Sequence, residues 1–200
     1  MNIELLKKCS IDFGCDDWEW NQLQKEFVLE NYKDNWVYCD VGSCKGFFTN
    51  LFKTLKPKEV YAFDINFENP EINQCKFERF AISDKDGSEK VFDNGHHQSH
   101  IFEEKGDRLL YEIPSVRLDT YFKDKDIDCL KIDIEGAEIK AIRGGIETIR
   151  KCSLVMIECH FNKDWPEMVK IFKDNNFTFR NLLDGSIVTE DYMPYQIYKI

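Results

Sequence analysis

The stretch IDCLKIDIEGAEIKAIRGGIETIRKCSLVMIECHF, residues 127–161, decides the fold of this chain. Its two ends are of strand length: residues 152–161 are a near-continuous apolar run, and residues 127–134 are mostly apolar. Between them, residues 137–150 carry isoleucines spaced by three and four positions, which predicts a helix. A buried strand, a helix and a second buried strand in succession predict two parallel strands joined by a crossover helix.

The same alternation continues on both sides of this unit. We predict an α/β fold, a doubly wound and mostly parallel sheet that ends in an antiparallel C-terminal hairpin. Residues 93–117 are the least regular part, and we expect a helical arm at 1–33 before one domain at 34–200. The further predicted strands are 36–41, 60–64, 75–82, 88–92, 177–183 and 195–200, and the further helices are 17–31, 47–55 and 165–175.

Charge and cysteine content narrow the possible partners and compartment. The 200 residues include 37 acidic and 27 basic ones, for a net charge of −10. Nucleic acids and anionic membranes reward clustered lysine and arginine, so neither is expected as the main partner. No apolar run approaches the ~20 residues that span a bilayer, and the N-terminus does not resemble a signal peptide. Eight cysteines without a C-x-x-C pair indicate buried thiols in the cytoplasm rather than a zinc or redox motif.

Ligands of such sheets bind beyond the carboxyl ends of the strands, which directs attention to the first strand and its turn. Asp40 is followed by Gly42 and Gly46, whose flexible backbone suits a tight turn and close approach of a ligand. The spacing departs from the G-x-G-x-x-G dinucleotide pattern, so turn and packing glycines are an alternative. Asp64 ends the next strand 24 residues later, where an acidic residue can hold a ribose diol.

Acidic residues also follow the two strands of the deciding stretch. Alternation would place Lys131, Asp133 and Glu135 on one side of their strand. Glu158 and His160 end the neighbouring strand on a shared face. A histidine with a near-neutral pKa could take a proton from a hydroxyl, and the carboxylate–imidazole set could equally bind Mg²⁺ or Mn²⁺.

Three histidines in five residues occupy the irregular region. His96, His97 and His100 invite a metal interpretation, but only the outer two have helical spacing. We therefore weigh substrate contact and a solvated loop above a metal site.

These features in this order resemble the FkbM family of methyltransferases. The similarity runs over about residues 36–180. It is carried by VYCDVGSCKGFFTNLF (37–52), VYAFD (60–64), ERFAISDKDGS (78–88) and, above all, the K-I-D-x-E-G-x-E block and the E-x-H strand end within 115–160.

The resemblance implies a class I, Rossmann-like methyltransferase fold with seven strands, and S-adenosylmethionine as cofactor. It also implies O-methylation, often of a sugar or another small-molecule hydroxyl. Asp133 or His160 would be the base, with Glu158 orienting it or binding a cation, and His96, His97 and Glu135 would contact the acceptor. The implied cofactor-binding residues are Asp40, Gly42, Ser43, Gly46, Asp64, Ile65, Ala81, Ile82 and Asp133. Ser43-Cys44-Lys45 departs from the small or amide residues common in the family.

Two other functions stay open from the residues alone. A nicotinamide-dependent oxidoreductase would use a similar sheet, although the middle glycine of its loop is missing here. A non-catalytic module could use the same acids to bind a metal or a partner.

Overall fold

The computed structural model describes residues 18–66, 75–93, 99–101, 107–160 and 162–200. Its main sheet has seven strands in the order β10-β11-β9-β8-β1-β2-β3. The strands of this sheet are β1 Val37–Val41, β2 Glu59–Phe63, β3 Lys76–Glu78, β8 Cys129–Ile132, β9 Leu154–Glu158, β10 Arg180–Asn181 and β11 Gln196–Lys199.

The sheet has the predicted topology. β1 is central and pairs in parallel with β2 and β8, and β8 pairs in parallel with β9. Only β11 among these strands runs antiparallel to its neighbours β9 and β10. The α/β class, the mostly parallel sheet and the reversed C-terminal hairpin are therefore confirmed.

Helices cover both faces of this sheet. Alternate strand residues enter two separate apolar cores: Leu130 and Ile132 lie in one, and Cys129 lies in the other with Tyr38. Burial on both faces explains why the strands read as continuous apolar runs. The α-helices are α1 Trp18–Asn31, α2 Phe47–Thr54, α3 Leu118–Tyr121, α4 Glu138–Arg143, α5 Ile146–Lys151 and α6 Trp165–Asp174, and a 3₁₀ turn spans Asn162–Asp164.

A second sheet, which the sequence did not predict, corrects two expectations. The single strand expected at 75–82 is two strands, β3 in the main sheet and β4 (Ala81–Ile82) in the second. Its other strands are β5 (Gly87–Asp93), β6 (Ser99–His100) and β7 (Arg108–Val116), in the order β4-β7-β5-β6. β7 lies in the region expected to be irregular, because its adjacent leucines and Pro114 obscure the alternation of a half-buried strand.

The helix predicted over 137–150 is also interrupted. It divides into α4 and α5 at Gly144-Gly145, where a Cβ on Gly144 would lie 2.0 Å from the carbonyl oxygen of Ser83. The strand predicted over 152–161 ends at Glu158, so His160 follows the strand instead of belonging to it. The last two strands are likewise shorter than predicted.

Helix α1 packs directly on the domain. Val28 is fully buried, and the ring of Phe27 lies 4.4 Å from that of Tyr198. The boundary of the arm at residue 33 stays a prediction. Within the described residues, no helix combines the length and apolarity needed to cross a bilayer.

Candidate functional site

The glycine turn after β1 is shaped by its contact with the end of β8. Gly42 has φ +83°, and a Cβ there would lie 1.7 Å from the carbonyl oxygen of Asp133. The N–H groups of Gly42 and Ser43 donate to the carbonyl oxygen of Phe63 at 2.9 and 3.0 Å. Gly46, at φ +87°, is the residue immediately before α2. Glycine at 42 is therefore required both by the backbone angle and by the lack of space.

The carboxylate of Asp64, at the end of β2, is buried and held by hydrogen bonds instead of being exposed to solvent. Asp64 is only 7% exposed. Its Oδ2 accepts the N–H of Cys44 at 2.7 Å, and its Oδ1 accepts the N–H of Asn66 at 2.8 Å. These two backbone donors hold the carboxylate in one orientation, with lone pairs left for a ligand.

A cleft opens at this edge of the sheet and brings together residues from both sheets. Part of the cleft wall is apolar. It is formed by Phe80, Ala81, Ile82, Ile101 and Ala137. Ser99 and Ile101 come from the β6 region, and no pattern in the sequence predicted that they would line a cleft. The predicted site residues that line the cleft are Gly42, Asp64, Ile65, Ala81, Ile82, Asp133 and Glu135.

The other predicted residues lie elsewhere. Asp40 and Ser43 are buried and are not among the residues that line the cleft, and Gly46 immediately precedes α2. His96 and His97 fall outside the described residues.

Asp40 and Lys131 form a buried charged pair beneath the turn. Asp40 is fully buried, and its Oδ2 accepts the hydroxyl of Thr49 at 2.6 Å. Its Oδ1 accepts no hydrogen bond from any residue in the described part of the chain. Burial raises the pKa of Asp40 to about 6, although the nearby Lys131 ammonium opposes the rise.

Lys131 was not among the predicted site residues, yet it connects two that were. Its Nζ lies 3.0 Å from Asp133 Oδ2, 3.9 Å from Asp40 Oδ1 and 4.6 Å from the centre of the Phe48 ring. Burial lowers the pKa of Lys131, but the two carboxylates outweigh it and raise that pKa above its ordinary value. The predicted alternation fails beyond it, because β8 ends at Ile132 and Glu135 adopts φ +54°.

Carboxylates surround His160 at the same edge. Its Nε2 lies 3.8 Å from Asp133, 3.4 Å from Glu135 and 3.5 Å from Glu158, and its Nδ1 lies 2.9 Å from Glu138. We call these four carboxylates and His160 the acidic cluster.

The cluster changes the expected chemistry of His160. Burial lowers the pKa of His160, but hydrogen bonds to Glu138 and Glu158 outweigh burial and raise the pKa to about 11. The near-neutral pKa expected from the sequence is therefore not what this environment produces. At neutral pH the ring carries both protons and acts as a cation between carboxylates.

Glu138 and Glu158 are held by further hydrogen bonds. Glu138 Oε1 accepts the N–H groups of Ile134 and Gly136 at 3.2 and 3.0 Å, which fixes the loop between β8 and α4. Glu158 accepts the hydroxyl of Tyr195 and, at 3.3 Å, the side-chain N–H of Gln196. The K-I-D-x-E-G-x-E pattern contained a signal for Glu138, whereas nothing local marked Tyr195.

Three members of the cluster form a possible ligand set for a cation. Asp133, Glu158 and His160 each offer an atom, and these atoms lie within 4.8 Å of one another. His160 would have to release a proton to serve as a ligand.

Comparison with solved structures shows the fold. An rRNA methylase from Streptococcus thermophilus is 14% identical, with 88% of this chain and 92% of that chain covered and a TM-score of 0.50. A TehB-like SAM-dependent methyltransferase from Corynebacterium glutamicum is 7% identical, with 88% and 85% covered and a TM-score of 0.51. A precorrin 8W decarboxylase from Methanobacterium thermoautotrophicum is 15% identical, with 90% and 89% covered and a TM-score of 0.50.

Sequence comparison supplies the family. The search of curated proteins finds no match. A family profile described as "Methyltransferase FkbM domain" matches residues 40–179, which include the glycine turn, the cleft and the acidic cluster. The chain therefore belongs to the FkbM family of methyltransferases, with S-adenosylmethionine as its cofactor.

Proposed function

We propose that this methyltransferase acts on a hydroxyl oxygen of a sugar or glycan. The observation that carries the proposal is the position of Asp133. Asp133 lines the cleft, and its carboxylate belongs to the acidic cluster, so this one residue connects the proposed cofactor site with the cluster.

The residues of the cleft suit S-adenosylmethionine. Asp64 would accept the two ribose hydroxyls, and the apolar surfaces of Phe80, Ala81 and Ile82 would hold the adenine. Gly42 and Asp133 both line the cleft where the turn packs against the end of β8, and the methionine part would lie along this wall. When bound, this cofactor supplies a methyl group on a cationic sulfur.

Asp133 is the best placed base. The acceptor oxygen would form its bond to the methyl carbon as the carbon–sulfur bond breaks, and the hydroxyl proton would pass to Asp133. His160 carries its proton, so it would act by holding Asp133 and Glu158 in place. Glu158 would orient His160 from the other side. This proposal narrows the sequence prediction, which left Asp133 and His160 as equal candidates.

The acidic cluster also bears on the class of acceptor. The cluster has four carboxylates and only one imidazolium, so its net charge is negative. A negative site repels a phosphate backbone and favours a neutral ligand that donates hydrogen bonds. A small sugar or glycan meets this condition, and we propose that nucleic acid is not the acceptor. Buried free thiols at Cys39, Cys129 and Cys152 suit the cytoplasm, which we propose as the compartment.

Calorimetric titration provides the first test. We expect S-adenosylmethionine and S-adenosylhomocysteine to bind and NAD not to bind. Lack of binding by either methyl cofactor would support a non-catalytic module instead.

Methyl transfer to a panel of sugars and glycans provides the second test. Asp133→Asn should lower kcat by roughly 10²–10⁴-fold while cofactor binding survives, as expected on removing a general base. The matched control is Asp126→Asn, at an exposed aspartate before the amino end of β8, which should leave kcat unchanged. Near-normal turnover by Asp133→Asn would contradict the assignment.

A further inference from the structure

Tyr195 stands at the ligand edge of the sheet, outside the walls of the cleft. Because β11 is antiparallel to β9, its first residue Gln196 pairs with Glu158, the last residue of β9. Tyr195 immediately precedes β11. Its carbonyl oxygen accepts the N–H of Cys159 at 2.7 Å, which fixes its backbone beside the acidic cluster.

The ring of Tyr195 is held in place and yet open to solvent. Its hydroxyl donates to Glu158, and its ring centre lies 6.1 Å from that of His160 with the planes nearly perpendicular. Even so, 47% of the residue is exposed. A ring tied at its hydroxyl offers a flat apolar face with little rotamer freedom left to lose on binding.

Accessible carboxylates lie close to this face. Glu135 and Asp133 are only partly buried, and both lie near Nε2 of His160, against which the ring of Tyr195 packs. Ionised carboxylates only accept hydrogen bonds, so a ligand here must donate them. A pyranose ring has both required features, an apolar C–H face for stacking and hydroxyl groups around its edge.

We propose that Tyr195 is the platform on which the acceptor pyranose stacks, with one of its hydroxyls directed to Asp133. This inference rests on the proposed function and assigns it a substrate-binding residue. The anionic surroundings exclude a phosphorylated sugar as the preferred ligand, so the acceptor is a neutral pyranoside.

Two substitutions at Tyr195 separate the platform from its hydrogen bond. Tyr195→Phe keeps the ring and loses the contact with Glu158, whereas Tyr195→Ala loses both. With a neutral pyranoside acceptor, Tyr195→Ala should raise KM by about tenfold, the size of a lost aromatic contact. Tyr195→Phe should change KM by less than about threefold. Tyr32→Ala is the matched control, since Tyr32 has a similar exposure of 39% but precedes the amino end of β1.

Affinity for S-adenosylhomocysteine, measured on the same proteins, shows whether each variant is folded, and it should equal that of the wild type. An equal rise of KM in both Tyr195 variants would overturn the platform, because the residue would then act only through Glu158. An unchanged KM in Tyr195→Ala would overturn it as well. If the wild type methylates no pyranoside, the proposed function itself is wrong. The wild-type assay is therefore done first, and it separates that failure from a failure of the platform.

Discussion

Replacing Lys131 by methionine tests how the carboxylates of the site are held. Lys131 is 2% exposed and lies between Asp40 and Asp133. Methionine keeps most of the chain length and the contact with Phe48, but it removes the charge. The two carboxylates are then left without their shared cation inside the sheet.

The expected cost follows from this burial. Removing one partner of a buried ion pair costs about 3–5 kcal/mol. The lower end applies here, since Asp133 is partly exposed and Asp40 can become protonated. For a chain of this size, about 3 kcal/mol lowers Tm by roughly 6–12 °C. We also expect kcat to fall, because Asp133 loses the contact that orients it.

Thermal and denaturant unfolding of four proteins measures this cost: the wild type, Lys131→Met, Asp40→Asn and the double variant. If the cost comes from the uncompensated charge, the double variant should recover at least about half of the loss. Lys151→Met is the control, since its pair with Asp126 is exposed and such pairs contribute about 0–1 kcal/mol. A Tm for Lys131→Met within about 2 °C of the wild type would refute the reasoning, because a change that small corresponds to less than about 1 kcal/mol. No recovery of stability in the double variant would refute it as well.

Three further predictions concern the turn, the buried acid and the cation. The pKa of Asp40 is raised to about 6, so its contribution to stability is full below about pH 4 and lost as the pH rises through 6. The shift corresponds to roughly 3 kcal/mol over the whole window, of which about half falls between pH 5 and pH 7.5. Asp40→Asn should abolish that part of the decline in unfolding curves measured at these two pH values. Gly42→Ala should prevent folding or abolish cofactor binding in calorimetry, because its Cβ would overlap the carbonyl of Asp133; normal binding would contradict the tight contact. If Asp133, Glu158 and His160 hold a divalent cation, a chelator should stop methyl transfer and Mg²⁺ or Mn²⁺ should restore it, whereas transfer that is insensitive to chelation favours the metal-free cluster.

The main sheet was predictable because each of its central strands is buried on both faces. The strand 154–158 is buried at every position and apolar at its first four, and such a short run between two predicted helices favours a buried strand. The second sheet was not predictable in the same way. Its longest strand, β7, is largely exposed, so its sequence shows neither a continuous apolar run nor a regular alternation.

The carboxylates of the site were predictable for a related reason. Acidic residues at the ends of apolar strands have to lie at the edge of the sheet, and parallel pairing brings those ends together. The side chains that contact these carboxylates could not be predicted from the sequence. Lys131 in an apolar strand gives no sign that it faces two acids, since one of them, Asp40, is 91 residues earlier in the sequence. Tyr195 enters the site only because β11 is reversed, which is a property of the topology.

Asp133 lies between two cations that approach from different sides. Its Oδ2 faces the buried ammonium of Lys131, and its Oδ1 faces the more accessible ring of His160. Because Lys131 is enclosed, it can orient Asp133 without meeting an acceptor. In the proposed function, a hydroxyl that enters from solvent would reach the side of Oδ1, where His160, Glu135 and Tyr195 lie together. Loss of Lys131 should therefore appear mainly in stability and kcat, whereas loss of the groups around Oδ1 should appear first in the KM for the acceptor.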